Sequence, residues 1–501
     1  MLFNSYSFLL FFPVVVMIYF ILPKKVCHIW LLLASYYFYM SWNPGYAVLI
    51  AITTIVTYIC GLGLTRADHT DRGNQKFKKN VIVALCLLLN LGLLVFFKYF
   101  NFLYENIKWI MARFHVTLVK PDFDILLPVG ISFYTFQALS YLIDVYRGDI
   151  KAEKNIIRYA LFISFFPQLV AGPIERSKNL LRQIDEIAVK KSVSYERITS
   201  GFIQMVWGFF LKMVIADRVA IYVNKVFEHY TMYGTVVLLS AAVAFGIQIY
   251  CDFAAYSAIA IGGARVMGFT LMENFDTPYL SKSIKEFWRR WHISLSTWFR
   301  DYVYIPLGGN RCAKWKHYRN IMITFCVSGL WHGANWTYVV WGGMHGLYQI
   351  IGAELRPLKD KMNKLFHTKT DSFSYRFGQT AVTFFLVTIT WVFFRSDTVH
   401  DALRYLKRIV VRPDFWVLHD NTLLGFGLDQ TQVHILLAAC VILLLVSLVQ
   451  YRTKMLLHQF LDTQCIWFRW AAIIGLLAMI LLFGEYGLNS AAGNQFIYFQ
   501  F

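Results

Sequence analysis

Two histidines offer the most chemistry in this sequence. His332 stands in Ser328-Gly329-Leu330-Trp331-His332-Gly333-Ala334-Asn335-Trp336, an apolar run long enough to sit in lipid. His292 lies forty positions earlier in the basic, aromatic run Trp288-Arg289-Arg290-Trp291-His292-Ile293-Ser294-Leu295-Ser296. An ionisable side chain at membrane depth is costly to place, so it counts as a functional candidate. On a helix, Ser328, His332, Asn335 and Trp336 share one face, which can hold an imidazole in one tautomer. Gly329 and Gly333 leave room beside it for another group. The same residues also fit a packing role, with the ring satisfied by a serine or a carbonyl between helices, and spacing leaves the two readings level.

The neighbouring polar residues have plainer readings. His292, with Trp288 at i−4 and Ser296 at i+4, fits an interfacial aromatic belt, which spacing alone favours over a site. Arg289 and Arg290 suit phospholipid anchors better than substrate clamps. Arg300-Asp301 reads as an ion pair and His345 as structural. Asp252 lies inside an apolar run, where capping or pairing with an arginine is as good an account as catalysis. Asn335-Trp336-Thr337 fits the glycosylation pattern, but its place in a span excludes a surface loop.

Several chemistries have no motif here. The sequence has no G-x-S-x-G elbow, Walker A loop, H-E-x-x-H or strand-borne G-x-G-x-x-G. An enzyme of this composition is left with a buried imidazole as general base on a hydroxyl, worth roughly 10²–10⁴-fold. Water exclusion would protect an activated acyl group.

Positioning such a residue requires a polytopic helical membrane protein. The 501 residues are 57% hydrophobic and only 15% charged, with apolar blocks separated by short basic loops. Blocks fall near 7–22, 27–42, 46–64, 81–97, 125–143, 156–171, 199–216, 235–262, 319–352, 378–395, 431–450 and 466–484. Pro128, Gly130, Ser132, Thr135 and Gln137 mark 125–143 as a helix packed against protein. Pro167, Gly172 and Pro173 make 156–171 a broken or re-entrant segment. The 281–317 stretch is too charged to span and suits interfacial helices. Roughly eleven spans in one all-α integral-membrane domain over 1–501 are expected, with re-entrant pieces around a central funnel. The excess of 48 Lys+Arg over 29 Asp+Glu reads as basic loops against anionic lipid, setting topology, and excludes a nucleic-acid role. Arg66, Arg72, Lys76, Lys78 and Lys79 mark a cytoplasmic-side loop. Eight cysteines without a C-x-x-C pair argue against zinc or redox chemistry. The N-terminus reads as a first span rather than a removed signal.

Six separated signatures then carry a resemblance: Leu127-Pro128-Val129-Gly130-Ile131-Ser132-Phe133, Gly172-Pro173-Ile174, Tyr250-Cys251-Asp252-Phe253, Pro278-Tyr279-Leu280, Trp291-His292-Ile293-Ser294-Leu295 and Trp331-His332-Gly333. Across 127–346 the chain resembles the membrane-bound O-acyltransferases, closely the bacterial branch that O-acetylates alginate or peptidoglycan. The teichoic acid D-alanylating branch is more distant. The resemblance implies that His332 is the intramembrane catalytic histidine, as base or transient acyl carrier, and His292 the second functional position. Asn335, Ser328, Trp336, Arg289, Trp288 and Ser296 would line the funnel. It implies no bound cofactor or metal, and a cytosolic acetyl-CoA or acyl-carrier-protein thioester as donor. It also implies a bacterial inner-membrane location, a separate SGNH-hydrolase-type partner and an extracytoplasmic polysaccharide as final acceptor. D-alanyl transfer to teichoic acid and a non-catalytic acyl transporter or scaffold stay open. One departure is Ala258, where relatives often carry Asp, so no catalytic role is assigned to Asp252.

Overall fold

A computed structural model describes residues 1–68, 72–119, 128–170, 172–420 and 426–486. Leu127, at the head of one signature, and Ala171, in the broken segment, lie outside them. Among the described residues every regular element is helical. The expected all-α membrane architecture therefore stands. Among the described residues seven helices are long and apolar enough to cross a membrane, two of them continuous over Asn74–Ala112 and Tyr195–Glu228. The length criterion passes over the apolar helix Tyr6–Ile21, so this number and the roughly eleven expected spans measure different things. Gln430–Thr453 and Ile466–Phe483 are strongly apolar yet have only 6% and 11% of their apolar windows buried. Surfaces of that kind are stable in hydrocarbon, where helices satisfy every backbone group internally.

The chain separates into two compact units. Residues Met1–Phe202 with Ile259–Met272 form one, and Ile203–Ala258 with Glu273–Phe501 the other. In the first, Ile131–Arg147 is bounded by Gly130 and Gly148, both at positive φ, and is buried along almost its whole length. Two of its polar residues are satisfied from within: Gln137 Nε2 donates to Phe162 O (2.6 Å) and Asp144 Oδ2 accepts from Ser177 Oγ (2.8 Å). Packing against protein is what Pro, Gly, Ser, Thr and Gln in one apolar run predicted. The segment after it is broken, as expected. Ile156–Ser164 starts on an Asn155 cap, and a turn at Phe165 leads into the short Phe166–Leu169 helix, where Pro167 fits at the second position.

The second unit holds both histidines. Short helices Ile284–Arg290 and Ile293–Phe299 precede a helical hairpin, Lys314–His332 and Trp336–Glu354, and Phe373–Arg395 packs against it. The single 319–352 block is thus two helices. Gly333 is extended, and the Asn335 side chain accepts from Thr337 N to start the second helix. The hairpin closes on glycine. A Cβ at Gly329 would lie 2.1 Å from Tyr338 O, and one at Gly342 would lie 2.2 Å from Phe325 O. Backbone rests on backbone there, the small-residue contact that membrane helices use in place of a hydrophobic drive.

Candidate functional site

His332 is the last residue of its helix and has 2% of its surface accessible. Aromatic rings enclose it. Trp331 and Trp341 stand edge-on at 5.0 Å, and Phe394 at 5.6 Å.

The expected shared face with Asn335 and Trp336 does not form, because the helix ends at His332. Asn335 instead caps the next helix, and its Nδ2 donates to Asp397 O at 2.8 Å. Trp336 is 54% exposed. Ser328 is buried on the same helix as His332. The room at Gly329 and Gly333 is filled by Tyr338, backbone at the first and ring at the second.

His292 comes within 6.5 Å of His332, centroid to centroid. The structure thus brings together the two histidines that the sequence separates by forty residues. His292 does not lie on one helix with Trp288 and Ser296. Arg290 ends the first short helix, and His292 sits at φ 43°, in the left-handed region, before the second. A non-glycine residue held there costs on the order of 1–2 kcal/mol, so the surroundings must over-determine it.

Asn274, a residue the sequence reading passed over, does so. It is fully buried, and its Oδ1 accepts from Ser294 N (3.2 Å) and Ser294 Oγ (2.9 Å) and lies 3.1 Å from His292 Nδ1. Its Nδ2 donates to Ser257 Oγ (3.2 Å), and its own carbonyl accepts from Ile293 N (3.0 Å). The backbone donor at Ser294 fixes Oδ1 as the acceptor, so the His292 proton resides on Nδ1 and the basic lone pair on Nε2. Burial pushes the His292 imidazole down to about 3, which keeps it neutral. One signal was readable, Asn-Phe-Asp before Pro278, but nothing in spacing links position 274 to 292.

The remaining predicted residues divide. Trp288 is buried edge-on to His345 (5.1 Å) and Trp341 (5.7 Å), while Arg289 is exposed. Ser296 Oγ donates to Trp291 O (3.2 Å), a packing contact. His345 Nε2 lies 3.0 Å from a Thr390 hydroxyl that is already donating to Val387 O. Arg300 and Asp301 pair at 2.7 Å. Asp252 pairs with a lysine rather than an arginine: Lys212 Nζ lies 2.7 Å from Asp252 and 2.8 Å from Asp217, all three buried. Lys212 occupies a stretch, Phe210–Ala216, where the helix widens to π geometry. Among the described residues no group of three His, Cys, Asp or Glu could hold a metal ion.

Comparison with known proteins places this geometry in context. The model of the membrane-bound O-acyltransferase family matches residues 84–395, a range that contains both histidines and Asn274. The chain is 39% identical over 409 residues to a probable alginate O-acetylase AlgI of Pseudomonas putida, covering 81% of this chain and 79% of that protein. It is 30% identical over 541 residues to the peptidoglycan O-acetyltransferase of Helicobacter pylori, covering 100% of this chain and 98% of the relative. The teichoic acid D-alanyltransferase of Bacillus subtilis matches over less, 29% identity across 45% of this chain and 59% of its own length.

Proposed function

This chain belongs to the membrane-bound O-acyltransferase family and is an acyltransferase, and from that premise we propose that it O-acetylates an extracytoplasmic polysaccharide. The acetyl group comes from a cytosolic thioester, acetyl-CoA or an acyl carrier protein, and crosses at the histidine pair. A separate SGNH-hydrolase-type protein then places it on an alginate-like or peptidoglycan hydroxyl. The membrane is the bacterial inner membrane.

The observation that carries this reading is the pairing of two buried imidazoles 6.5 Å apart in a site walled by aromatic rings. In the step at this site the oxygen of a hydroxyl on that partner, the intermediate carrier, bonds to the acyl carbon, the carbon–sulfur bond breaks, and the hydroxyl proton passes through His332 to the departing thiolate. His292, its proton held on Nδ1 by Asn274, presents Nε2 as a second, neutral base. The indole of Trp341, edge-on to His332, is buried with no acceptor for its N–H among the described residues. That N–H is a donor available to the acyl carbonyl oxygen as negative charge develops there. The match to polysaccharide O-acetylases over most of the chain supports acetyl over D-alanyl transfer.

The test is His332→Ala in the native host, with protein level and membrane insertion measured alongside. O-acetylated polymer should fall to background while the protein persists. Acetylation that survives the change would reject this chemistry and leave a transporter or scaffold.

A further inference from the structure

We propose that the first compact unit carries a binding site for a phosphate-bearing anion on the cytosolic side of the membrane. The site is a cavity of about 400 Å³ lined by Asn179, Arg182, Gln183 and Lys191, by Arg197, and by the loop around Gly268. That volume lies within the range of ordinary ligand pockets.

The cavity is built in layers. Asn179, Arg182, Gln183, Glu186 and Ile187 recur at helical spacing, so one face of Ser177–Lys190 lines it. The loop opposite is fastened to that face. Gln183 exchanges two hydrogen bonds with Thr270, Nε2 to O at 2.8 Å and N to Oε1 at 2.7 Å, and Asn179 Nδ2 also reaches Thr270 O (3.3 Å). Gly268, at φ 96°, lets the Arg197 guanidinium lie flat against the loop, with Cζ only 3.3 Å from where a Cβ would stand. The floor is therefore held by its own bonds, without a ligand.

The cations inside it are not neutralised from within. Arg182, Lys191 and Arg197 have no ion-pair partner among the described residues, and Glu186 is the one carboxylate in the lining. Arg197 donates through Nη2 to Ser192 O, while its buried Nε has no acceptor among the described residues. Lys191 donates to Leu22 O and sits over the Tyr19 ring at 5.2 Å. Two forked guanidiniums and an ammonium converging on one cavity suit a phosphate, whose several oxygens accept bidentate bonds.

The side follows from contacts within the same unit. Tyr146 Oη donates to Asn80 Oδ1 (2.8 Å), on the helix Arg72–Leu94 whose first turns carry Lys76, Lys78 and Lys79. Tyr58 Oη donates to Lys154 O (2.6 Å), and Arg158 pairs with Asp185 on the cavity helix. The cavity helix thus lies beside the end of the unit where these basic residues gather, which marks that end as the cytosolic one. Two sources share this chemistry there: the phosphates of a coenzyme A-type donor, an arm that rests on the acyl-transfer reading, and the headgroup of an anionic phospholipid.

The test uses the full chain in nanodiscs of pure phosphatidylcholine, with coenzyme A as the soluble probe and phosphatidylglycerol-doped discs as the lipid probe. Binding of coenzyme A by the wild type, about tenfold or more weaker in Arg197→Gln and in the exposed-site variant Arg182→Gln, assigns the site to the donor. No coenzyme A binding, but phosphatidylglycerol retained by native mass spectrometry in the wild type and lost in both variants, assigns it to the lipid. Arg197→Lys should keep much of either affinity. If neither probe binds, or if binding ignores all three substitutions in proteins of unchanged melting temperature, the site is not one for phosphate. Both readouts are free of acetylation, so failure here is distinct from failure of the proposed reaction.

Discussion

At the scale of single residues, Asn274 bears most on how His292 can act. Its amide oxygen faces three donors, so Asn274→Leu removes an acceptor that buried groups cannot replace, at a cost of about 1–3 kcal/mol. The expected outcome is protein of lowered stability whose residual acetylation falls further than stability alone explains, with an altered pH profile, because the imidazole is free to take either tautomer. Asn274→Asp, which keeps the oxygen, should retain more activity than Asn274→Leu. The comparison is read from acetylation rate against pH. His292 also predicts a sign for stability. Burial lowers its pKa from 6.5 to about 3, so the folded state refuses a proton that the unfolded chain accepts. Its contribution is complete above about 6.5 and drains away as pH falls toward about 3. Melting curves should show that loss in the wild type and a shallower acid slope in His292→Asn.

At the scale of elements, the hairpin of Lys314–His332 and Trp336–Glu354 is the part most exposed to a methyl group. Gly329→Ala puts a Cβ into the Tyr338 carbonyl, an overpacking that costs about 1–3 kcal/mol or more. Gly352→Ala, on the same hairpin with nothing within 4 Å, should be neutral or stabilising by up to about 1 kcal/mol. Melting temperatures in detergent compare the two directly. What was legible here, and what was not, has physical causes. The apolar blocks gave the helices, since hydrophobic length is a local property. Gly333 and Asn335 do spell a helix stop and a cap, but the run stays so apolar across them that it reads as one span. Asn274 and Lys212 were hidden for another reason: their partners lie 18 and 40 residues away, joined by loops whose geometry no spacing encodes.

At the scale of the whole molecule, orientation makes the prediction. The expected basic loop is helical in the structure, since Lys76, Lys78 and Lys79 lie in the first turns of Arg72–Leu94, and that helix end should face the cytosol. In a background without the eight native cysteines, none of them disulfide-bonded, Lys78→Cys should react with an impermeant maleimide only after the membrane is opened. Labelling of intact spheroplasts would invert the assignment of sides. Composition alone gave the membrane class and the basic loops, whereas the separation into two compact units depends on long-range contacts that no window of sequence reports.

The glycine crossing at Gly329 and Gly342 has a mechanical corollary. Two helices with main chains in contact have no slack between them, so they must swing as one lever. Trp331 and Trp341 ride on that lever with His332, whereas Phe394 belongs to Phe373–Arg395. Phe394 and His292 therefore face the imidazole from elements outside that lever.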